Sequence, residues 1–324
     1  MKKLLNILVI ILCLVLMAGC SVLTSGAQKP SPAQSTVSSG RQVFPYRFQD
    51  SLNNRVTLKA RPSKVVCLMG SYAEMWILAG GTLAGTTDDA ISERKLDLGK
   101  DVEIIGSVKE PDMEKVLALS PDFVILSSEL QSHLELSEKL KQAGVAFAYF
   151  KVNYFDDYLH VFRIFTEMTG RDDLYQKNGL DMQTQVNAVL NKVDRTRKPT
   201  VLFIRASSSG VEAQKEDSMT GKILKDLNCE NIADRHPSLL QSLSMEDIIM
   251  NDPDFIFVTT MGSSKEKALS VLKKDIQSKP AWQTLSAVRE NHYYILPKEL
   301  FQYKPNAKWG MSYVYLSKLL YPVV

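Results

Sequence analysis

The sequence predicts an α/β protein built as two similar lobes joined by a helical bridge, and three observations predict it. Apolar runs of strand length alternate with amphipathic runs of helix length on both sides of the chain's middle, the pattern of parallel sheets covered by helices. A stretch without strand character, 155–198, separates the two alternating regions. A twelve-residue pattern also occurs twice, PDMEKVLALSPD at 111–122 and LSMEDIIMNDPD at 243–254, each leading into a hydrophobic run, FVILS or FIFVTT.

The chain begins MKKLLNILVIILCLVLMAGC. Lys2 and Lys3 precede an uncharged apolar run ending in small residues, the build of an export signal over 1–19. Leu16-Met17-Ala18-Gly19-Cys20 resembles the lipobox of bacterial lipoproteins, which implies cleavage before Cys20 and lipid on that residue. The apolar run is close to membrane-spanning length. The residues after it carry no stop-transfer charge cluster, however, and their Ser, Thr, Pro, Gln and Gly cannot form a core. Segment 20–45 is therefore expected to be a flexible stalk, holding the rest of the chain at the extracytoplasmic face of the cell membrane.

The first lobe is expected over 46–154. KVVCLMG (64–70) reads as a buried strand and SYAEMWILAGG (71–81) as a helix capped by Ser71, with Glu74 three residues on. LAGTT (83–87) and EIIGS (103–107) are short strands. Pro111-Asp112 opens the helix of the first repeat, which closes at Ser120-Pro121 before the strand FVILSS (123–128). A helix through 131–143 ends at Gly144, and the strand AFAYFKV (146–152) completes the lobe. In the bridge, FDDYLHVFRIFTEMTG is one helix broken at Gly170, and a second runs on toward Pro199. The second lobe, 199–324, contributes TVLFIRA (200–206), a helix at 220–228, the second repeat, FIFVTT (255–260), a helix near 264–276, HYYILP (292–297) and a terminal helix over roughly 307–320. Both lobes are thus Rossmann-like, and the helical link restricts their relative motion.

Composition narrows the function. A body of about 280 residues after the stalk is long for one core and comfortable for two domains. The formal charge of +3 falls to about +1 without Lys2 and Lys3, and no basic run or cysteine–histidine grid points to nucleic acid. Cys67 and Cys229, in KVVCLMG and DLNCENI, read as buried free thiols. His133, His160, His236 and His292 are scattered without ligand spacing, so no metal site is expected. No G-x-G-x-x-G, Walker loop, nucleophile elbow or H-E-x-x-H occurs. SSSG (207–210) follows a strand without an adjacent lysine and reads as a turn at the cleft mouth rather than a phosphate site. Catalysis has little to stand on, and the chain is expected not to be an enzyme.

RPSKVVCLMGSYAEMWILAGGTLAGTTDDA, IIGSVKEPDMEKVLALSPDFVILSS, SMTGKILKDLNCENIAD, SLSMEDIIMNDPDFIFVTT and KPAWQTLSAVRENHYYILP, in that order, resemble one family. It is the substrate-binding lipoproteins of ABC importers for iron-siderophore complexes, haem and cobalamin, the rigid-helix (class III) periplasmic binding proteins. The resemblance runs from about Val56 to Pro322. It implies two α/β lobes joined by a single long helix, a ligand cleft between the lobes, no catalysis, and delivery of cargo to a permease dimer driven by a cytoplasmic ATPase. It also implies that one surface glutamate per lobe pairs with arginines of the permease; by motif these are Glu114 and Glu246. Each sits in the first turn of a helix, where the macrodipole keeps a carboxylate ionised. Met113 and Met245 beside them are expected in the core.

Residues facing the cleft should come from the carboxyl ends of the strands. The candidates are Ser71, Tyr72, Met75 and Asp88 in the first lobe and Arg205, Met261, Phe301 and Tyr303 in the second, with Lys304 beside Tyr303. Aromatic, methionine and arginine side chains around an open cleft suit a large, partly apolar, anionic chelate. The resemblance also implies that some haem-binding members ligate iron with a Met from the first helix of the first lobe and a His from a loop of the second. Met75 holds that Met position, but Met261 stands where the His would be. The expected cargo is an iron chelate of siderophore type, with haem or a corrinoid as alternatives, and no intrinsic cofactor. A bilobal metallocofactor enzyme, or a sensory module without a permease, is the competing class. The body is expected to be a monomer.

Overall fold

The computed structural model describes residues 43–322 apart from 242 and 263. The signal segment, Cys20 and the stalk up to residue 42 lie outside the described residues. An antiparallel hairpin comes first, β1 (Tyr46–Gln49) and β2 (Arg55–Leu58), with Tyr46 opposite Leu58. Its short, half-polar strands carry too weak an alternation to be read from sequence. The first sheet contains β3 (Val65–Cys67), β4 (Leu83–Thr86), β5 (Glu103–Ile104), β6 (Phe123–Ser127) and β7 (Ala146–Phe150), all parallel, in the order β5-β4-β3-β6-β7. The second contains β8 (Thr200–Ser207), β9 (Gly210–Ala213), β10 (Glu230–Asn231), β11 (Phe255–Thr260) and β12 (Tyr293–Ile295). There β10-β8-β11-β12 are parallel, and β9 folds back antiparallel on β8. The second sheet is therefore mixed, where the sequence predicts parallel strands alone. Ser207 faces Gly210, so Ser208 and Ser209 form the turn of a tight hairpin.

The bridge consists of the helix Phe155–Thr169 and a second helical run from Asp172 to Leu190 that loosens by one residue per turn across Gln176–Leu180. Gly170 ends the first in the left-handed region (φ 66°), which an L side chain enters only with strain. A β-carbon there would also run into the Arg61 guanidinium. The bridge is welded into both lobes. Phe165 packs edge-on against Trp76 and Phe150 of the first lobe, with ring centroids 5.5 and 4.9 Å apart. Phe155 meets Trp309 and Tyr313 of the terminal helix Trp309–Leu320. One continuous apolar core thus runs from Val65, Phe123 and Phe150 through Phe162 and Phe165 to Phe203, Phe257 and Leu316. The outer face of each sheet has its own separate core.

Three local expectations are corrected. The helix expected from Ser71 spans Gly70–Leu78, and Ser71 lies inside it, not at its cap. The amide of Gly70 instead donates to Asp89 Oδ2 at 2.8 Å, a carboxylate from the next βα loop. That loop approaches so closely that a β-carbon on Gly70 would lie 2.5 Å from the Ala90 nitrogen. The helix expected over 131–143 is two short ones, Gln131–Leu134 and Ser137–Gln142. His133 turns inward between them: its Nδ1 accepts from the Ser127 amide at 2.9 Å and its Nε2 donates to the Val108 carbonyl at 2.9 Å. Met75 and Tyr72, expected at the cleft, are fully buried in the shared core.

The repeated pattern has two structural parts. Its Pro-Asp ends do the same job in each lobe. Asp122 accepts hydrogen bonds from the Ser63 and Lys64 amides and the Ser63 hydroxyl, just ahead of β3. Asp254 accepts from the amide and hydroxyl of Thr200, the first residue of β8. Each carboxylate pins the start of the neighbouring strand and so sets the register of the central pair. The Met-Glu part opens the helices Met113–Ala118 and Met245–Asn251, capped by Asp112 and Ser244. Met113 and Met245 are both buried, and Glu114 and Glu246 are both exposed.

Candidate functional site

Parallel strands aim their carboxyl ends, and the loops beyond them, at one edge of each sheet, where open α/β folds hold ligands. Two of these loops meet across the lobes. From the first lobe come the segment after β4, with Asp88, Asp89, Glu93 and Arg94, and the helix Gly70–Leu78 with Glu74. From the second come Met261 and Gly262 after β11, and Lys298, Tyr303, Lys304 and Asn306 after β12. Arg94 is ion-paired with Glu74 and also donates to the Lys304 carbonyl at 2.9 Å. Asn306 Nδ2 donates to Glu74 Oε2 at 2.7 Å and to the Ser71 carbonyl at 2.9 Å. Lys304 Nζ reaches back to the Val152 carbonyl at 2.6 Å and lies 3.6 Å from Glu129 Oε2. The Tyr303 ring has the Arg94 guanidinium 5.9 Å and the Lys298 ammonium 5.6 Å from its centroid, within cation–π range. Lys298 Nζ in turn donates to the Gly262 carbonyl.

The electrostatics follow from burial. Withdrawal from water brings Arg94 down to about 10, a large fall for a guanidinium. It lowers Lys304 as well, against the opposing pull of Glu129. Loss of solvent raises Asp89, opposed by its bonds from Thr87 and Gly70, and raises Glu93, with Asp89 adding to the effect. Buried polar atoms without a hydrogen-bond partner among the described residues gather at the same edge. Thr86 Oγ1 ends β4 and the Thr259 and Thr260 hydroxyls end β11, while Ser71 Oγ, Arg94 Nε and Asn306 Oδ1 belong to the seam itself. An unpaired buried polar atom is costly, and such atoms clustered in one place mark where a polar guest or bound water is accommodated.

Of the predicted ligand contacts, Ser71 and Tyr303 lie in this seam, and Asp88 and Met261 are exposed on the loops that frame it. Arg205 sits at the end of β8, but its guanidinium is held by Glu212 across the hairpin at 3.0 Å. Tyr72, Met75 and Phe301 are not on the cleft surface. The Tyr72 hydroxyl donates to the Phe150 carbonyl, Met75 has no exposed surface, and Phe301 packs in the core near Tyr315. Their place near strand ends was legible, but the side of the helix that faces the core was not. Met75 has no exposed surface and is not presented to the cleft in this structure. Glu74, Arg94, Lys298, Lys304 and Asn306 form the seam, and only Lys304 was within the reach of sequence reasoning. Among the described residues no group of three or more His, Cys, Asp or Glu side chains converges to hold a metal ion. Both Cys67 and Cys229 are free and buried, and burial pushes each thiol up, the opposite of what a nucleophile needs.

A concavity of about 520 Å³ lies elsewhere, between the hairpin and the outer edge of β7, lined by Asp50, Arg55, Lys141 and Tyr149. It is remote from the strand carboxyl ends and draws residues from one lobe alone.

Two α/β lobes on a helical link, with charged residues of both lobes meeting at the strand ends, have the build of a bilobal solute-binding protein. The chain belongs to the periplasmic binding protein family, whose sequence model matches residues 65–300. It is 26% identical over 301 residues to an uncharacterized ABC transporter substrate-binding lipoprotein, YvrC, of Bacillus subtilis, covering 90% of this chain and 88% of that protein. The fold also matches Staphylococcus aureus IsdE complexed with heme (TM-score 0.65, 19% identity, 80% of this chain and 98% of that one). It matches Staphylococcus aureus SirA complexed with staphyloferrin B in the same way (TM-score 0.62, 17% identity, 86% and 97%).

Proposed function

We propose that the chain is the extracytoplasmic, lipid-anchored substrate-binding subunit of an ABC importer. It captures an iron chelate of siderophore type between its lobes, 46–154 and 199–324, and hands it to a permease dimer driven by a cytoplasmic ATPase. Family membership and the likeness to substrate-binding lipoproteins support the importer role, and Cys20 supports the anchor. The observation that carries the ligand class is the seam. Arg94 and Lys298 flank the Tyr303 ring, beside a set of unpaired buried polar atoms where the strands of both lobes end. Cations, one aromatic ring and spare hydrogen-bonding groups suit an anionic, oxygen-rich chelate.

Glu114 and Glu246 supply docking. Each helix leads into a parallel strand, so each glutamate stands at the carboxyl-end edge of its sheet, the edge from which cargo must leave. Neither has an ion-pair partner among the described residues, so both are available to cations of a two-fold partner. Docking then pries the lobes apart against the seam and releases the cargo. The protein binds and delivers; it does not catalyse.

The test is purification from the native host followed by mass and absorbance analysis, then titration with ferric chelates, haem and cobalamin. Iron with a small chelator and no Soret band is expected. A Soret band would replace the chelate with haem, and failure to bind any of the three would overturn the reading.

A further inference from the structure

The two Met-Glu helices share their buried positions and two of their exposed ones. Met113 and Met245 go inward together, as do Val116 and Ile248. Glu114 and Glu246 face solvent, and one helical turn later so do Leu117 (36% exposed) and Ile249 (40%), although aliphatic side chains are ordinarily buried. The copies then diverge. Met250, 78% exposed, follows Ile249, where the first lobe has Ala118. Beside Glu246 stands Asp247, while beside Glu114 stands Lys115, paired with Glu103 at 3.2 Å.

We infer that each lobe docks through a mixed patch, a glutamate with an aliphatic neighbour one turn on, and that the second lobe's patch carries most of the binding. This rests on the permease-docking reading. The occupant is the permease dimer, at two related sites that each offer a cation beside an apolar hollow. Three features argue for that occupant: an acid without a partner, an apolar residue in the same register in both lobes, and placement of both helices at the edge from which cargo departs. An isolated exposed leucine would mean nothing, but Leu117 and Ile249 stand at the same register beside an unpaired glutamate in both lobes, which fits a surface kept for a partner. Ile249 and Met250 offer the larger apolar area, and Glu246 with Asp247 the greater uncompensated negative charge, so the second lobe is the stronger anchor.

The test replaces Leu117 and Ile249, one at a time, with a photo-crosslinking benzoylphenylalanine in the full-length lipoprotein in its native membrane, and identifies the adducts by mass spectrometry. In parallel, the permease–ATPase complex found in those adducts is reconstituted, and stimulation of its ATPase is measured with Leu117→Ser, with Ile249→Ser/Met250→Ser, and with Glu114→Lys and Glu246→Lys as comparators. Expected are permease adducts from both positions, about tenfold weaker apparent affinity for the Ile249/Met250 pair, and a smaller loss, about threefold, for Leu117→Ser. Circular dichroism and chelate titration should be unchanged, because these side chains lie outside both the core and the seam. Permease adducts with serine variants within twofold of the parent would overturn the apolar patch while leaving glutamate docking intact. Equal losses from the two lobes would overturn the asymmetry. Adducts with a second copy of the chain in place of a permease, together with silent glutamate variants, would bring down the docking reading itself.

Discussion

The two lobes are the same machine built to different tolerances. In both, a central strand pair, β3–β6 or β8–β11, is pinned by an aspartate after a proline, and a Met-Glu helix leads into the second strand of the pair. The first lobe surrounds that plan with an all-parallel sheet, a buried histidine and a salt bridge beside its glutamate. The second has an antiparallel hairpin on β8, half-buried histidines and a bare acidic-apolar helix. What is common to both fixes the strand register and the placement of the docking helix. What differs lies on the surfaces and loops, where partner and cargo are met.

Charge reversal is the strongest way to break the symmetry. Glu114→Lys together with Glu246→Lys should cut uptake of iron presented as its chelate by about 100-fold or more, with chelate affinity in solution unchanged. Taken singly, Glu246→Lys should do more damage than Glu114→Lys. A loss of ligand affinity in the double variant would mean that the glutamates belong to the cleft.

The lobes also share a core, which can be tested by cutting it in the middle. Trp309, 1% exposed, packs at a tilt against Phe155 where the terminal helix meets the bridge. Trp309→Ala should cost about 3–5 kcal/mol and lower the stability of both lobes at once, read as a single shifted denaturation transition. Two resolved transitions would show that the lobes unfold independently. At the seam, Glu74→Gln leaves the Arg94 guanidinium buried without its counter-charge, at a cost of about 3 kcal/mol. Hydrogen exchange should then rise on both sides, in the loop after β4 and in 303–306.

The smaller effects separate shared from private features. Asp122→Asn and Asp254→Asn each weaken charge-assisted bonds at a strand start, so each should cost about 1 kcal/mol, and by equal amounts. Unequal losses in urea titrations would show that the two clamps are not equivalent. His133 is private to the first lobe. Burial lowers its folded pKa below the ordinary value of 6.5, with the bond to Val108 acting against that fall. The unfolded chain therefore binds the proton first, and stability should decline as pH drops below 6.5 toward the folded value. His133→Gln should flatten that slope, and exchange near 127–133 should report it before any segment of the second lobe.

The two alternating lobes, the strand-free bridge and its break at Gly170, and the inward methionines and outward glutamates were all legible in the sequence. Each of these is written in local periodicity, in capping chemistry, or in a repeat that can be compared with itself. FIFVTT, for example, is a strand from Phe255 to Thr260 as read. Tertiary structure alone decided who lines the cleft. Glu74 reads locally as a capping partner for Ser71, yet it meets Arg94, 20 residues on, and Asn306, 232 residues on. Tyr72 and Met75 stand at a strand end, as cleft residues should, but the helix turns that face into the shared core. Periodicity tells which residues share a side of a helix. Only the packing of distant segments decides whether that side meets the core, the partner lobe or the cargo.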